Sequence, residues 1–328
     1  MAAQTDKRQR RRSLELLPGH NYDPVEYLKV EMNTAGVSRK KSFNRVVDAM
    51  KIGLDNLYEN PTVVEAIGTH LPQVIRQSPI DIRLSDTVFD QRLESRPLTI
   101  EYPLRVEKFC MFRNTGSTWK LRIGDPRFRI SGGPLQSVYQ LDQVHAHWGP
   151  NNIVGSEHTV NGYQYAAELH FVHWNTGKCQ TIDTAASRPD GLAVIGVFLK
   201  VGKPHPEIQK LADAMQDIHY SGQEISLDDK NINVKKLMPE DTSQYWTYDG
   251  SLTTTPYDDC VIWIVLKNHI EVSSEQLEAM RTLVEFQEGQ NAPDKHASCG
   301  RVVHNFRPVQ NSIVKVRSSY KPALNTYF

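Results

Sequence analysis

The chain has 328 residues and a mass of 37.4 kDa, enough for one large domain or two modest ones. Its 38 basic and 38 acidic side chains cancel, and the pI lies near 7.2, which argues against a chain-wide basic surface for nucleic acid. The longest apolar run, Cys260 to Leu266, is seven residues, far short of the about 20 that span a bilayer.

In chain order, residues 1–20 come first. They hold Lys7, Arg8, Arg10, Arg11 and Arg12 with few apolar residues, the composition of a solvated basic tail. The alternative is a nuclear address or a contact with an acidic surface. Arg11-Arg12-Ser13 and Lys40-Lys41-Ser42 also resemble basic-directed kinase sites. From Ser42 the pattern turns helical: Phe43, Val46, Val47, Met50, Leu54 and Leu57 recur at spacings of three and four. Ser42 suits an N-cap, and Asn60-Pro61 a stop. A second short helix is expected around Val63, Val64 and Ile67. Residues 21–72 therefore read as a helical N-terminal extension.

After Pro72 the texture changes to short strand-like runs separated by turn residues. The runs are Leu121 to Ile123, Val138 to His147, Tyr165 to Trp174, Leu192 to Val201 and Val261 to Leu266. Gly132-Gly133-Pro134, Pro150-Asn151-Asn152 and Asp249-Gly250 mark turns. One helix is predicted over Pro206 to Tyr220, with a stripe of Ile208, Leu211, Met215 and Ile218 and a proline suited to its first turn. Residues 73–316 read as one strand-rich domain, and 317–328 as a C-terminal tail. The four cysteines, Cys110, Cys179, Cys260 and Cys299, have no Cys-x-x-Cys spacing and suggest neither a disulfide framework nor a thiolate zinc site.

The segment richest in chemistry is Gln143-Val144-His145-Ala146-His147-Trp148-Gly149. Side chains alternate along a strand, so Gln143, His145 and His147 share one face. In Ala166 to Trp174, Glu168, His170 and Val172 share a face and His173 takes the other. If the two runs are neighbouring strands, His145, His147 and His170 converge. Three neutral imidazoles gain little from facing one another, so their convergence implies a metal. Three His ligands with an open fourth position describe catalytic zinc, which acidifies water. Gln143 and Glu168 then serve as acceptors for the far ring N–H of two ligands.

These residues and several further blocks resemble the alpha-class carbonic anhydrases over about 240 residues. The blocks are Arg76 to Ile82, Gly132-Gly133-Pro134, Gln143 to Gly149, Gly155 to Val160, Ala166 to Trp174, Gly191 to Gly202, Tyr245 to Thr254 and Asn305 to Pro308. The resemblance implies a mostly β, α+β single domain: a central twisted, largely antiparallel sheet of about ten strands with peripheral helices. It implies Zn2+ on His145, His147 and His170, and reversible hydration of carbon dioxide to bicarbonate and a proton by zinc-bound hydroxide. It assigns Gln143, Glu168 and the backbone or side chain of Asn305 to orienting the ligands. Thr253 accepts from the nucleophile, and Glu157 takes the Thr253 hydroxyl proton. Thr254 contacts bicarbonate or inhibitors of the sulfonamide type, and Val172, Val194, Leu252 and Trp263 form the wall for carbon dioxide. The alternative is a non-catalytic relative that uses the same fold for binding. The resemblance assigns no protein partner to the N-terminal extension, and neither nucleic acid nor a membrane span is expected.

The chain also departs from the family. Ser117 occupies the position of the proton-shuttling histidine, and serine does not titrate near neutrality, so buffer-dependent turnover is expected. Trp119 and Lys120 differ from the usual polar lining, Ala146 should face away from the metal, and Pro256 is a candidate cis proline. The family's N-terminal aromatic cluster has no counterpart. No cysteine precedes Cys110, so the bridge of secreted relatives cannot form. With no apolar leader behind the basic stretch, a cytoplasmic location is expected.

Overall fold

The computed structural model describes residues 76–293 and 298–321. The basic tail, the helices expected over Ser42–Leu57 and around Val63–Ile67, and most of the C-terminal tail lie outside the described residues.

Among the described residues there are sixteen strands. β1 to β6 are Asp81–Ile82, Val88–Phe89, Thr99–Glu101, Cys110–Asn114, Trp119–Ile123 and Arg129–Ser131. β7 to β11 are Tyr139–Trp148, Thr159–Val160, Tyr163–Gln164, Ala167–Asn175 and Leu192–Val201. β12 to β16 are Glu224–Ser226, Tyr245–Gly250, Val261–Leu266, Ile270–Val272 and Arg317–Ser318. Thirteen of them join one sheet, whose main path runs β12-β4-β5-β7-β10-β11-β14-β13-β16-β2; β3, β6 and β15 pair beside it. Most pairs are antiparallel, but β11 runs parallel to β14 and β15, and β16 parallel to β2. β1, β8 and β9 form a separate small sheet. This is the mostly β single-domain architecture expected.

Period-two alternation sorts the apolar residues into two layers, one on each face of the sheet. On β11, Ala193, Ile195, Val197 and Leu199 enter one core cluster, and Leu192, Val194 and Phe198 the other. β14 divides the same way, with Ile262, Ile264 and Leu266 against Val261, Trp263 and Val265. The first layer also holds Val144, Ala146, Leu169 and Phe171. Ala146 thus faces away from the histidines on its own strand, as expected.

The α-helices among the described residues are short and peripheral: α1 Gln91–Ser95, α2 Ile182–Ala186, α3 Pro206–Ala214 and α4 Ser274–Arg281. The helix predicted to reach Tyr220 is α-helical only to Ala214 and continues as a 3-10 turn over Met215–Ile218. The apolar stripe continues across the change of pitch, because Met215 and Ile218 stay buried. α4 was not predicted. Its start carries a reciprocal cap, in which Ser273 accepts from the Gln276 backbone and the Gln276 side chain returns to Ser273. No helix among the described residues is long and apolar enough to cross a membrane. All four cysteines are free thiols. The Ser78–Pro79 and Thr255–Pro256 peptide bonds are cis.

Candidate metal centre and active site

β7 and β10 are antiparallel neighbours, and His145 pairs directly with His170 while His147 pairs with Glu168. Directly paired residues project to the same side of a sheet, so the three imidazoles meet over one spot. Their ring centroids lie 5.0, 5.2 and 4.6 Å apart, and their ligand atoms all fall within 4.8 Å of one another.

The outer nitrogen of each ring is held by a different acceptor. His145 Nδ1 donates to Gln143 Oε1 at 2.9 Å. His147 Nδ1 donates to the backbone oxygen of Asn305 at 2.9 Å, so the main chain of Asn305, not its amide, contacts the ring. His170 Nε2 donates to Glu168 Oε1 at 2.8 Å. None of these oxygens has a proton to give. Each imidazole therefore carries its proton on the outer nitrogen and turns a bare lone pair inward. His145 Nε2 and His147 Nε2 stand 3.1 Å apart with no proton between them. Burial is the largest cause holding all three rings below the ordinary imidazole pKa; for His145 the neighbouring His147, His170 and Lys120 act in the same direction. Three neutral rings with converging lone pairs are a donor set suited to a divalent cation. His158, Glu168 and His170 are also close enough to hold an ion. In that cluster, however, both ring N–H groups are already spent on the carboxylate, so no equivalent set of lone pairs converges.

Glu168 is the fixed point beneath the triad. Its carboxylate accepts from the backbone of Glu157 at 2.9 Å and of His158 at 2.8 Å, from His158 Nδ1 at 2.7 Å and from His170. Burial alone would raise its pKa, but these partners hold it well below the usual carboxylate value. Gly196 sits opposite His170 on β11, and a Cβ there would come within 2.9 Å of Glu168 Oε1. His158 passes the network on through Nε2 to the Tyr248 hydroxyl at 2.7 Å, which reaches Ser78 Oγ at 2.9 Å.

Glu157 is buried beside the triad. Its Oε1 accepts the Arg307 backbone N–H at 2.8 Å and lies 3.3 Å from His147 Nδ1. Burial pushes its pKa up to about 7, opposed by His170, the Thr253 hydroxyl and the Arg307 N–H. Oε2 makes no hydrogen bond of good geometry, although the Thr253 hydroxyl is near enough to favour the ionised form.

A cavity of about 780 Å³ opens above the triad, reaching His145, His170, Gln143, Thr253 and Thr254. One wall is apolar. Val172 pairs with Val194, and Val194 with Trp263, in one row across β10, β11 and β14, and Leu252 joins them. Trp263 is fixed by its indole N–H to Ser251 O at 3.0 Å and packs edge-on to His170 at 4.8 Å. The opposite wall is charged. Lys120 pairs with His145, and Arg122 with Gln143, so both face the cavity; Arg113 and Glu224 lie on the same side, and Asp142 on β7 and Asp183 on α2 also line it. Trp119 belongs to the core behind, against Phe112. Ser117 is exposed and does not line the cavity. Its carbonyl accepts from the Asn305 amide at 2.9 Å.

Sequence reasoning missed Arg113, Arg122 and Asp142. The first two follow from register alone, given the strand order. Asp142 does not, because it lies next to Gln143 and strict alternation sends it to the opposite face.

A fold of this topology with three histidines over the sheet defines the eukaryotic-type carbonic anhydrases, and the family model matches residues 69–318. The chain belongs to that family. It is 42% identical over 272 residues to the rat protein named carbonic anhydrase 5B, mitochondrial, covering 82% of this chain and 79% of that one. The human protein of the same name is 42% identical over 250 residues, covering 75% and 74%. Rabbit carbonic anhydrase 1 is 39% identical over 236 residues, covering 72% of this chain and 94% of that one. The expected cytoplasmic location is corrected by this comparison, since the 5B relatives are named as mitochondrial. An organelle address is an Arg-rich segment poor in acidic residues, without an apolar run, so a basic stretch does not distinguish it from a solvated tail.

Proposed function

We propose that the protein hydrates carbon dioxide reversibly to bicarbonate and a proton, with Zn2+ held by His145, His147 and His170. The observation that carries this reading is the tautomer pattern: three outer N–H groups engaged, three inner lone pairs converging. Zinc held there supplies the Lewis acidity that makes water nucleophilic at neutral pH. The protein does the rest. Gln143, Glu168 and the Asn305 carbonyl keep the rings in place. Glu157, ionised beside a positive centre, accepts a hydrogen bond from the Thr253 hydroxyl, which leaves the threonine oxygen as an acceptor. That oxygen admits only a species bearing a proton and fixes its direction. Val172, Val194, Leu252 and Trp263 hold carbon dioxide, which is small and uncharged and displaces water cheaply from such a wall. Thr254 contacts bicarbonate, and a sulfonamide competes at the same place.

The test is elemental analysis together with stopped-flow hydration. We expect one zinc per chain and hydration that a chelator, a sulfonamide or His145→Ala removes. A metal-free purified protein, or hydration indifferent to all three, overturns the reading. The names of the 5B relatives support a mitochondrial location, which organelle fractionation checks.

A further inference from the structure

The register between β7 and β10 slips at one place. Val172 pairs with Gln143 but His173 pairs with Leu141, so Asp142 is an extra residue opposite no partner. This is a β-bulge, a device that re-aims a side chain. Its effect is visible in the burial on either side. Tyr139 and Leu141 before it, and Val144 and Ala146 after it, all enter the core layer behind the sheet. The parity of the strand therefore changes at Asp142, which turns forward with Gln143 and lines the same cavity as His145 and His170. The half-buried carboxylate has no hydrogen bond or ion pair among the described residues. Strand geometry puts it on the order of 10 Å from His145, a span that a short chain of water bridges.

We propose that Asp142 is the proton-relay residue of this enzyme, carrying protons between the triad and bulk solvent in place of the side chain that Ser117 lacks. The inference rests on the function proposed above. The step is a proton transfer only: the proton released when water becomes the nucleophile passes through water to the Asp142 carboxylate and then to buffer. The other titratable groups of that wall are poorly suited. Lys120 and Arg122 on β5 are basic side chains that offer no acceptor atom. Asp183 on α2 and Glu224 on edge strand β12 are exposed, and Glu224 is separated from the triad by β4 and β5. The groups that face Asp142 are Arg122 and Lys120 from β5, which favour its ionised form, and Asp183 from α2, which opposes it. Burial outweighs the cations and raises its pKa above the ordinary aspartate value.

The test compares zinc-loaded wild type with Asp142→Asn and Asp142→Glu by stopped flow, in dilute buffer and in saturating imidazole. For Asp142→Asn, kcat in dilute buffer should fall roughly tenfold, kcat/KM should stay within about twofold, and imidazole should restore kcat. Asp142→Glu, which keeps the carboxylate, should retain most of the turnover. An unchanged kcat for Asp142→Asn in dilute buffer overturns the relay while leaving the proposed function intact. So does a parallel loss of kcat and kcat/KM that imidazole does not repair, since that marks a structural role. A wild-type protein that binds zinc yet does not hydrate carbon dioxide removes both proposals together.

Discussion

His170 and His173 sit three residues apart on β10, and both are buried, yet they belong to opposite faces of the sheet and do different work. His173 is complete. Its Nδ1 donates to Ala193 O at 3.1 Å, and its Nε2 accepts from the Tyr102 hydroxyl. His170 donates to Glu168 through one nitrogen and leaves the other facing two further rings. Burial and a lowered pKa are common to both. What separates a ligand from a core residue is whether a lone pair is left over once the protein's own hydrogen bonds are counted.

The sharpest way to break this contrast is to truncate each ring. His170→Ala should lose zinc and hydration together, measured by elemental analysis and stopped flow. His173→Phe should keep the metal and most activity while losing about 1–3 kcal/mol of stability in a urea titration, because the Tyr102 hydroxyl is left buried without a partner. Metal loss in His173→Phe would erase the distinction.

Removing the acceptor and not the ring comes next. Glu168→Gln leaves His170 in place but replaces one acceptor oxygen by a donor, so zinc affinity by competition with a chelator should drop about 10- to 100-fold. Gly196→Ala should weaken it in the same direction by crowding that carboxylate.

A smaller effect separates the two histidines by pH. Burial, the largest influence, lowers the His173 pKa from 6.5 to about 3. Above 6.5 the ring is neutral in both states and its contribution is complete. As pH falls below 6.5 the unfolded chain takes a proton that the native ring refuses. Stability then declines by about 1.4 kcal/mol per pH unit from this group alone, until pH approaches 3. His173→Phe should show a shallower acid loss than wild type between those limits, read from urea midpoints. The smallest expected effect is on turnover in wild type, which should rise modestly with imidazole at fixed pH.

The sequence made the sheet legible where its physics is periodic. Leu192–Val201 and Val261–Leu266 are strands with the expected limits: the second is a continuous apolar run, and the first is one broken only at Gly196 and Lys200. The facing of Gln143, His145 and His147 followed from alternation alone. Three things did not follow. α4 hides a short apolar stripe among charged residues, and only its Ser273–Gln276 cap announces it. Asp142 required knowledge of a slip in pairing, which depends on the partner strand and leaves no mark in its own neighbours. The acceptor for His147 is a main-chain carbonyl, and every residue has one, so side-chain chemistry could not select Asn305; only the family resemblance pointed to it.

That last residue has a consequence for how the site comes into being. Asn305 holds the ring of His147 with its carbonyl, the backbone N–H of Trp148 with its side-chain oxygen at 2.6 Å, and the carbonyls of Ser117 and Ala146 with its amide. One residue thus clasps β7 and the turn between β4 and β5, both more than 150 residues earlier in the sequence. During synthesis, a nascent polypeptide that has delivered all three imidazoles still lacks the latch that selects the inward lone pair of the second. A chain cut before residue 305 would therefore lack the acceptor that fixes the His147 tautomer, and with it one of the three donors that the proposed zinc site requires.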